Sequence, residues 1–378
     1  MHTDRDATAG GLVTAQAANE YMQVTLRLAP PVTLHDENFW RTDGNSPVRV
    51  ERDGATVFFS DYLPRGRTFR RRGSRALGFD SRATAVRLID DPDPQVGKWI
   101  EAVWKDTACG MLRGWYHAEE VAPCAARLFV SHIGELISED DGQSWRCRGE
   151  LLRVPPGQID CSWQNEFFAG GYGDLCVVPD RLGRHLYMPF TSFLIDEDVQ
   201  GIVMARMPAA RPHAPAAGLE LWCGEDWRPA AGRFPQPIWR PVRGWRHADP
   251  DCFWGPAMHY NRALDAYVML FNHTANGAGD LLQEGIYASV NRALDNPAGW
   301  SPPLQIVRSG AWYPQVVGLE EGCGDTEAGG IARFFMAGFS AWSIEFAAPG
   351  NGQAINRPLQ PTTADFAQLF GAGKRCPW

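Results

Sequence analysis

The chain lacks long apolar runs: none of its 378 residues lies in a stretch approaching the ~18 apolar residues of a membrane-spanning helix. Met1 to Glu20 is polar, with alternating charge and no apolar centre of a secretory signal. The nine cysteines include no C-x-x-C pair, which argues against a zinc ribbon or a thioredoxin-type site. A basic surplus is also missing. Lys and Arg number 36 against 44 Asp and Glu, a formal net charge of −8, so the broad basic face of a non-specific nucleic-acid binder is not there. No H-E-x-x-H, P-loop or G-x-S-x-G occurs, and Gly338 to Trp342 lacks the second glycine of a nucleophile elbow. The glycine-rich run Gly170 to Gly173 leads into a strand pattern, not a helix, and fails as a dinucleotide fingerprint. These absences lead to the expectation of a reduced, cytoplasmic protein with mostly buried thiols and no membrane or nucleic-acid partner. A chain trimmed of its export signal has the same appearance.

Helical periodicity with caps is lacking as well. What is abundant is 15 Trp, 39 Gly and 28 Pro; the latter two are poor in helix interiors and favour turn-rich β structure. One pattern returns five times: a short strand, a turn, then an apolar–aromatic strand. The copies are Ser46–Val50 with Thr56–Ser60, Trp99–Trp104 with Met111–Tyr116, and Gly173–Val178 with His185–Phe190. Gly255–Tyr260 with Ala266–Phe271 and Trp312–Val317 with Ala332–Met336 complete the set. Third strands follow at Gly134–Ser138, Gly201–Ala205, Gly285–Ser289 and Ser343–Phe346. Five meanders of this kind predict an all-β fold, a five-bladed β-propeller, with Met22–Leu28 supplying the strand that closes the ring. Residues 1–20 are expected to be a flexible N-terminal segment and 21–378 a single propeller domain. A β-sandwich with one extra domain is the competing architecture.

Ser138-Glu-Asp-Asp-Gly-Gln-Ser-Trp145 fits S-x-D-x-G-x-x-W. It resembles the Asp-box, a hairpin turn found in sialidases and other propellers, and Asn291 to Trp300 is a weaker counterpart in the fourth meander. Asp140 can accept backbone N–H bonds within the turn, Gly142 can take positive φ, and Trp145 can pack beneath it. Such turns staple the fold and lie away from the chemistry.

In a propeller the first strand of each blade lines the central channel, so polar residues at the starts of those strands converge. Here they are Asp43 and Asn45, Glu101, Asp174, Asp251 with Trp254, and Trp312 with Tyr313. Carboxylates and aromatics around a narrow mouth suit glycoside hydrolysis, in which one carboxyl group donates a proton and another acts as base or nucleophile. The spacing of Asp43 and Asp174 resembles that of the five-bladed glycoside hydrolases of family 43, the arabinanases and xylosidases, and of families 32 and 68, the invertases and levansucrases. The family 43 likeness implies a general base at Asp43 and a pKa-tuning carboxylate at Asp174; the other group implies a nucleophile at Asp43. One departure is plain: the Glu-Gly-Pro that carries the family 43 acid reads Trp254-Gly-Pro256 here. Glu284, opening the third strand of the same meander, is the first substitute, followed by Glu101 and Asp251. The segment Asn165 to Asp174 and the Trp-Tyr-Pro at Trp312 also resemble a group of bacterial propellers without an assigned activity.

The catalytic candidates are therefore Asp43, Asp174, Glu284 and Glu101. The sugar-binding candidates are Asn45, Trp99, His117, Trp254, His259, Trp312 and Tyr313, and Glu119 is a further hydroxyl contact. Each has a structural alternative: Asp43 shaping its Asp-Gly-Asn turn, Asp174 capping a loop, Glu101 facing outward, Glu284 a solvated strand end, and the histidines satisfied within the fold. Three function classes follow: a glycosidase, a non-catalytic carbohydrate-binding or assembly propeller on a Trp254–Trp312–Tyr313 platform, and a sialidase-like enzyme with Arg41, Arg113 and Arg333 clamping an acidic sugar. No cofactor is expected. A structural calcium, known in similar propellers, has no motif here, and the sequence leaves the oligomeric state open. The arginine-rich run Arg65 to Arg75 is expected to be a solvated loop, or a site for an anionic partner.

Overall fold

The computed structural model describes residues 13–36, 42–61, 66–79, 81–123, 125–210, 214–275, 283–349 and 356–360. Among these the regular structure is strand, with only three short 3-10 turns at Pro156–Gln158, Glu197–Val199 and Pro297–Gly299. No helix among the described residues is long and apolar enough to cross a membrane.

The strands form five successive antiparallel meanders. The first comprises Val48–Glu51, Gly54–Asp61, Arg67–Gly73 and Thr84–Ala85, and the second Gly97–Lys105, Leu112–Ala122, Ala125–Ser138 and Ser144–Leu152. The third runs through Phe168–Leu175, His185–Ser192, Gly201–Pro208 and Glu220–Trp222, and the fourth through Cys252–Asn261, Ala266–Thr274, Gln283–Asn291 and Leu304–Arg308. The fifth takes Gln315–Val317, Ile331–Met336 and Phe339–Ala347, and its outer partner comes from the other end of the chain: Gln23–Thr33 pairs antiparallel with Phe339–Ala347.

The second strands are covered on both faces, as in Gly54–Asp61 and Ala266–Thr274. They therefore read as continuous apolar–aromatic runs instead of alternating ones. The core lies between the sheets, and its clusters join consecutive meanders. Phe58 packs with Tyr116 and Trp145 between the first and second, and Trp115 with Phe190 between the second and third. Tyr187 packs with Phe271 between the third and fourth, and Val268 with Phe334 and Ile344 between the fourth and fifth. Val57 and Phe59 pack with Val317 and Phe335, so the fifth meander also shares core with the first. The fold is all-β and propeller-like.

The Ser138–Trp145 turn is a closed local network. Asp140 accepts from the Ser144 N–H at 2.8 Å and the Ser144 hydroxyl at 2.6 Å, and Ser138 Oγ donates to it at 2.9 Å. Gly142 has φ 80°, and a Cβ there would meet the Phe58 ring at 2.3 Å. Trp145 is fully buried and meets Phe58 edge-on at 5.7 Å.

Three expectations are corrected. Val13–Ala18, within the segment expected to be flexible, is a strand paired with Gln23–Arg27 and with Asn356–Arg357. Arg67–Gly73 is a strand, not a solvated loop, because its arginines are answered from elsewhere. The Arg70 guanidinium holds the Asp141 carboxylate and carbonyl, and Arg71 donates to the carbonyls of His35, Phe79 and Ser81. Cys161 is disulfide-bonded, so the thiols are not uniformly reduced, whereas Cys176, Cys252 and Cys323 are buried free thiols.

Candidate functional site

Residues in and beside the first strands of the five meanders cross-link them. Asn45 Nδ2 donates to the carbonyls of Leu175 at 2.9 Å and Pro256 at 2.8 Å, tying the first meander to the third and fourth. Gln315 of the fifth exchanges two bonds with the Ser46 backbone, at 2.6 and 3.2 Å. Glu101 Oε2, from the second, accepts the Leu175 N–H at 2.6 Å. Over this junction opens a cavity of about 100 Å³ lined by Asp43, Trp99, His117, Glu119, Asp174, Trp254, Trp312 and Tyr313, with Phe129, Phe167, Phe168, Phe193 and Trp245 completing the walls. A larger groove of about 750 Å³, running past Leu151, Arg153, Leu219 and Phe234, holds none of the candidate residues.

Asp43 is fixed by two donors: the Trp99 indole N–H to Oδ2 at 3.0 Å and the Tyr313 hydroxyl to Oδ1 at 3.2 Å. Two donors on two oxygens suit the carboxylate form. Asp174 is 5% exposed and lies at φ 44°, in the left-handed region that costs a non-glycine residue energy. Tyr313, at φ 54°, is held in the same way, and such strain collects at functional sites. Burial pushes the Asp174 carboxyl well above the carboxylate range. The Glu101 charge pushes it further, against an opposing pull from His117. Asp174, its pKa raised, therefore shares one cavity with Asp43.

Glu101 is buried behind the wall, 1% exposed, and its Oε1 meets His117 Nδ1 at 2.9 Å. His117 lies flat on Trp99, ring centroids 4.8 Å apart and planes 6° apart, and its Nε2 is 3.6 Å from Glu119 Oε1. His117 and Glu119 share a face because they are two residues apart in one strand. Burial works against the charged imidazole, but Glu101 and Glu119 outweigh it and hold its pKa well above 6.5. Gly44, at φ 91°, makes room for this arrangement: a Cβ there would lie 2.4 Å from Glu101 Oε1.

One ligand atom each from Glu101, His117 and Asp174 lies within 4.8 Å of the others. These donors are already matched, since Glu101 spends one oxygen on His117 and the other on the Leu175 N–H. Calcium takes six to eight oxygens, whereas this set offers two carboxylates and an imidazole. The imidazolium itself supplies the positive charge between the carboxylates.

Of the residues named from sequence, Asp43, Asp174, Trp99, His117, Trp254, Trp312 and Tyr313 come together in the cavity wall, and Glu119 joins them. Glu101 stands behind it and Asn45 beneath, as a cross-link. Glu284 is not in the lining. Its carboxylate is engaged by His273 at 3.1 Å, Tyr287 at 2.8 Å and Gln305 at 2.7 Å. The hydrogen bond from His273 first, then those of Tyr287 and Gln305, outweigh burial and hold its pKa below the usual range, opposite to what a proton donor needs. Asp251 belongs to that cluster through His273 Nε2 at 3.1 Å. His259 is buried against Phe346, outside the cavity, with its pKa pushed down to about 3 by burial. Arg113 is buried on Glu135 and the Ala209 carbonyl, and Arg333 binds the Pro30 carbonyl. Neither reaches the cavity, and Arg41 lies outside the described residues. The glycines before Asp174 admit a neighbouring strand: a Cβ on Gly171 would meet the Ser131 carbonyl at 2.3 Å. Phe129, Phe193 and Trp245 carry no sequence signal of their own, and Phe167 and Phe168 are flagged only through the Asn165–Asp174 segment that contains them.

No family model and no curated protein matches the chain. Solved structures do resemble it. A putative exo-β-1,3-galactanase from Bifidobacterium bifidum is 12% identical, with a TM-score of 0.50 over 89% of this chain and 97% of that one. The catalytic domain of a Coprinopsis cinerea GH62 α-L-arabinofuranosidase is 9% identical, TM-score 0.51, over 89% and 97%. An α-L-arabinofuranosidase from Podospora anserina, solved with cellotriose, is 10% identical, TM-score 0.51, over 89% and 99%. At such identity the likeness is one of fold: an all-β architecture resembling glycoside-hydrolase β-propellers.

Proposed function

We propose that this chain is a five-bladed propeller acting on carbohydrate as a glycoside hydrolase, with Asp43 as the carboxylate that activates water or attacks the anomeric carbon. Asp174 is its neutral partner. The observation that carries this reading is the pairing, in one aromatic cavity, of a carboxylate held by two donors with a carboxyl kept protonated by burial. Two carboxyl groups in opposite protonation states are what glycoside hydrolysis uses, and the indole faces of Trp99, Trp254 and Trp312 suit the apolar face of a sugar ring. Five meanders with a shared core between each neighbouring pair support the blade count, and the Ser138–Trp145 network supports the Asp-box reading. The partner is thus an oligo- or polysaccharide, and the reaction needs no cofactor.

The test is a panel of aryl glycosides and plant and bacterial polysaccharides, assayed with the wild type, Asp43→Asn and Asp174→Asn. Each variant is expected to lose about 100-fold or more in turnover; full turnover in both overturns the assignment. A second reading, a carbohydrate-binding propeller without catalysis, is favoured by Trp254 standing where the resemblance puts the acid. It is distinguished by calorimetric sugar binding in a wild type that cleaves nothing.

A further inference from the structure

The cavity contains a base but not the carboxylic acid that the fourth meander of similar enzymes carries, since that place is Trp254 and Glu284 is engaged elsewhere. Asp174 and His117 are a carboxyl and an imidazole of the cavity wall whose pKa values are raised, and so two groups that can protonate the leaving oxygen. Building on the hydrolase reading, we propose that His117, backed by Glu101, is the proton donor to the leaving group.

Four observations carry this. His117 lines the cavity, and its Nδ1 is committed to the buried Glu101 at 2.9 Å, which orients the ring and leaves Nε2 as the end not held by Glu101. Glu101 is itself locked by the Leu175 N–H at 2.6 Å, so the pair is held by two meanders. Trp99 covers the imidazole face at 4.8 Å, a stack that favours the cation and keeps the ring from rotating. Nε2 lies 3.6 Å from Glu119 Oε1, longer than a good hydrogen bond, and both residues line the cavity, so a sugar oxygen can take the place of Glu119 at Nε2. A buried carboxylate behind an imidazole whose outer nitrogen faces substrate is a recurring acid–base arrangement. The charged and titratable groups facing the ring are Glu101 on the neighbouring strand, Glu119 on its own strand, Asp174 from the third meander, Asp43 from the first and Tyr313 from the fifth. Asp174 and Tyr313 are held neutral, so the remaining charges favour a retained proton.

In the step, the Nε2 proton moves to the glycosidic oxygen, and the bond from that oxygen to the anomeric carbon breaks, its electron pair staying on oxygen. Water adds to the anomeric carbon and gives its proton to Asp43. Asp43 returns that proton to solvent and His117 regains one, so one water is consumed per bond cleaved.

The experiment compares the wild type, His117→Gln and Glu101→Gln on aryl glycosides of one sugar with good (dinitrophenyl) and poor (unsubstituted phenyl) leaving groups. It adds a ¹⁵N-histidine NMR titration of the wild type and Glu101→Gln. His117→Gln is expected to lose about 100- to 10,000-fold in kcat on the poor leaving group and to stay within about tenfold on the good one, which needs little protonation. Glu101→Gln is expected to move the basic limb of the pH–rate profile to lower pH, and the His117 ¹⁵N titration with it. An equal loss on both leaving groups, an unmoved basic limb, or a neutral His117 imidazole in the wild type at pH 7 overturns the proposal while leaving hydrolysis intact. A wild type that cleaves nothing in the panel overturns the hydrolase reading and this assignment together. The NMR arm reads the wild type directly, so it decides even where His117→Gln does not fold.

Discussion

Asn45 offers a sharp test of how the cavity is held together. Its amide is 3% exposed, and its two Nδ2 bonds reach carbonyls 130 and 211 residues away in sequence, so no local structure replaces them. In Asn45→Ala both carbonyls lose a buried donor, at about 1–3 kcal/mol each. The same change deletes Oδ1, a buried acceptor without a partner, and recovers one penalty of that size. The balance is a loss of about 2 kcal/mol. Asn45→Asp, nearly isosteric, turns both donors into a carboxylate facing two carbonyl oxygens. An uncompensated buried charge costs about 3–5 kcal/mol, and the side chain evades part of that by taking up a proton as pH falls. A chain of 378 residues unfolds with an entropy of about 0.8 kcal/mol per degree. The melting temperature should therefore fall by roughly 2–3 °C in Asn45→Ala and roughly 4–6 °C in Asn45→Asp at pH 7. Differential scanning calorimetry at pH 7 and pH 4.5 measures both, and the gap between the variants should narrow at the lower pH. An Asn45→Ala melting point within half a degree of wild type, or an Asn45→Asp that melts above Asn45→Ala at pH 7, would falsify the cross-link reasoning.

Gly44→Ala should cost roughly 1–2 kcal/mol from its positive φ alone, plus the collision with Glu101 Oε1 at 2.4 Å; urea unfolding measures the total, and a wild-type midpoint refutes it. Asp325 is half-buried, and desolvation pushes its pKa up to about 7. The unfolded chain ionises it from about pH 4 while the native state keeps the proton, so its cost begins above pH 4, grows to about pH 7 and then levels off. Asp325→Asn should thus gain stability over wild type across that window and not below it, as paired melts at pH 4 and pH 8 would show. Asp140 has the opposite sign: burial is outweighed by the bonds from Ser144 and Ser138, its pKa is lowered, and its contribution is present above the unfolded pKa and lost as pH falls through the folded one. Asp140→Ala should cost about 1–2 kcal/mol at pH 7 and less at pH 2.5, and an equal cost at both would refute the role given to the carboxylate.

The strands were legible where the signal is local. Turn residues bounding aromatic and β-branched runs placed most of the hairpin strands, from Ser46–Val50 against the observed Val48–Glu51 to Ala332–Met336 against Ile331–Met336, but the third first strand, expected at Gly173–Val178, is Phe168–Leu175. What escaped depends on distant partners. Six arginines in eleven residues look like a solvated loop until Asp141, some seventy residues on, is seen to receive Arg70, and Val13–Ala18 needs Asn356–Arg357 as part of its sheet.

The site divides along the same physical line. Asp43, Trp254 and Tyr313 could be named because the start of a first strand is a position that sequence order locates; Asp174, expected to open Gly173–Val178, instead lies at the far end of Phe168–Leu175 yet still reaches the wall. Glu284 failed for a geometric reason. It opens a third strand, two inter-strand spacings or roughly 9–10 Å from the first, so it faces His273 and Tyr287 across its own sheet instead of the cavity. Glu119 sits on a second strand, only one spacing out, and reaches the wall. The same reasoning bears on the missing acid. With Trp254 in the fourth first strand, a replacement has to come from a first strand or from the strand beside it, and among the described residues of those strands Glu101, His117, Glu119 and Asp174 are the acids and histidines that lie in or directly behind the cavity wall. Glu101 is sealed behind the wall, and Glu119 has the positive end of His117 beside it. Asp174 and His117 are equally buried, at 5% and 4% exposed, but only His117 has a buried carboxylate hydrogen-bonded behind it, Glu101 at 2.9 Å. His117 combines an orientation fixed by Glu101 and Trp99, a pKa held above its ordinary value by Glu101 and Glu119, and a place in the cavity wall.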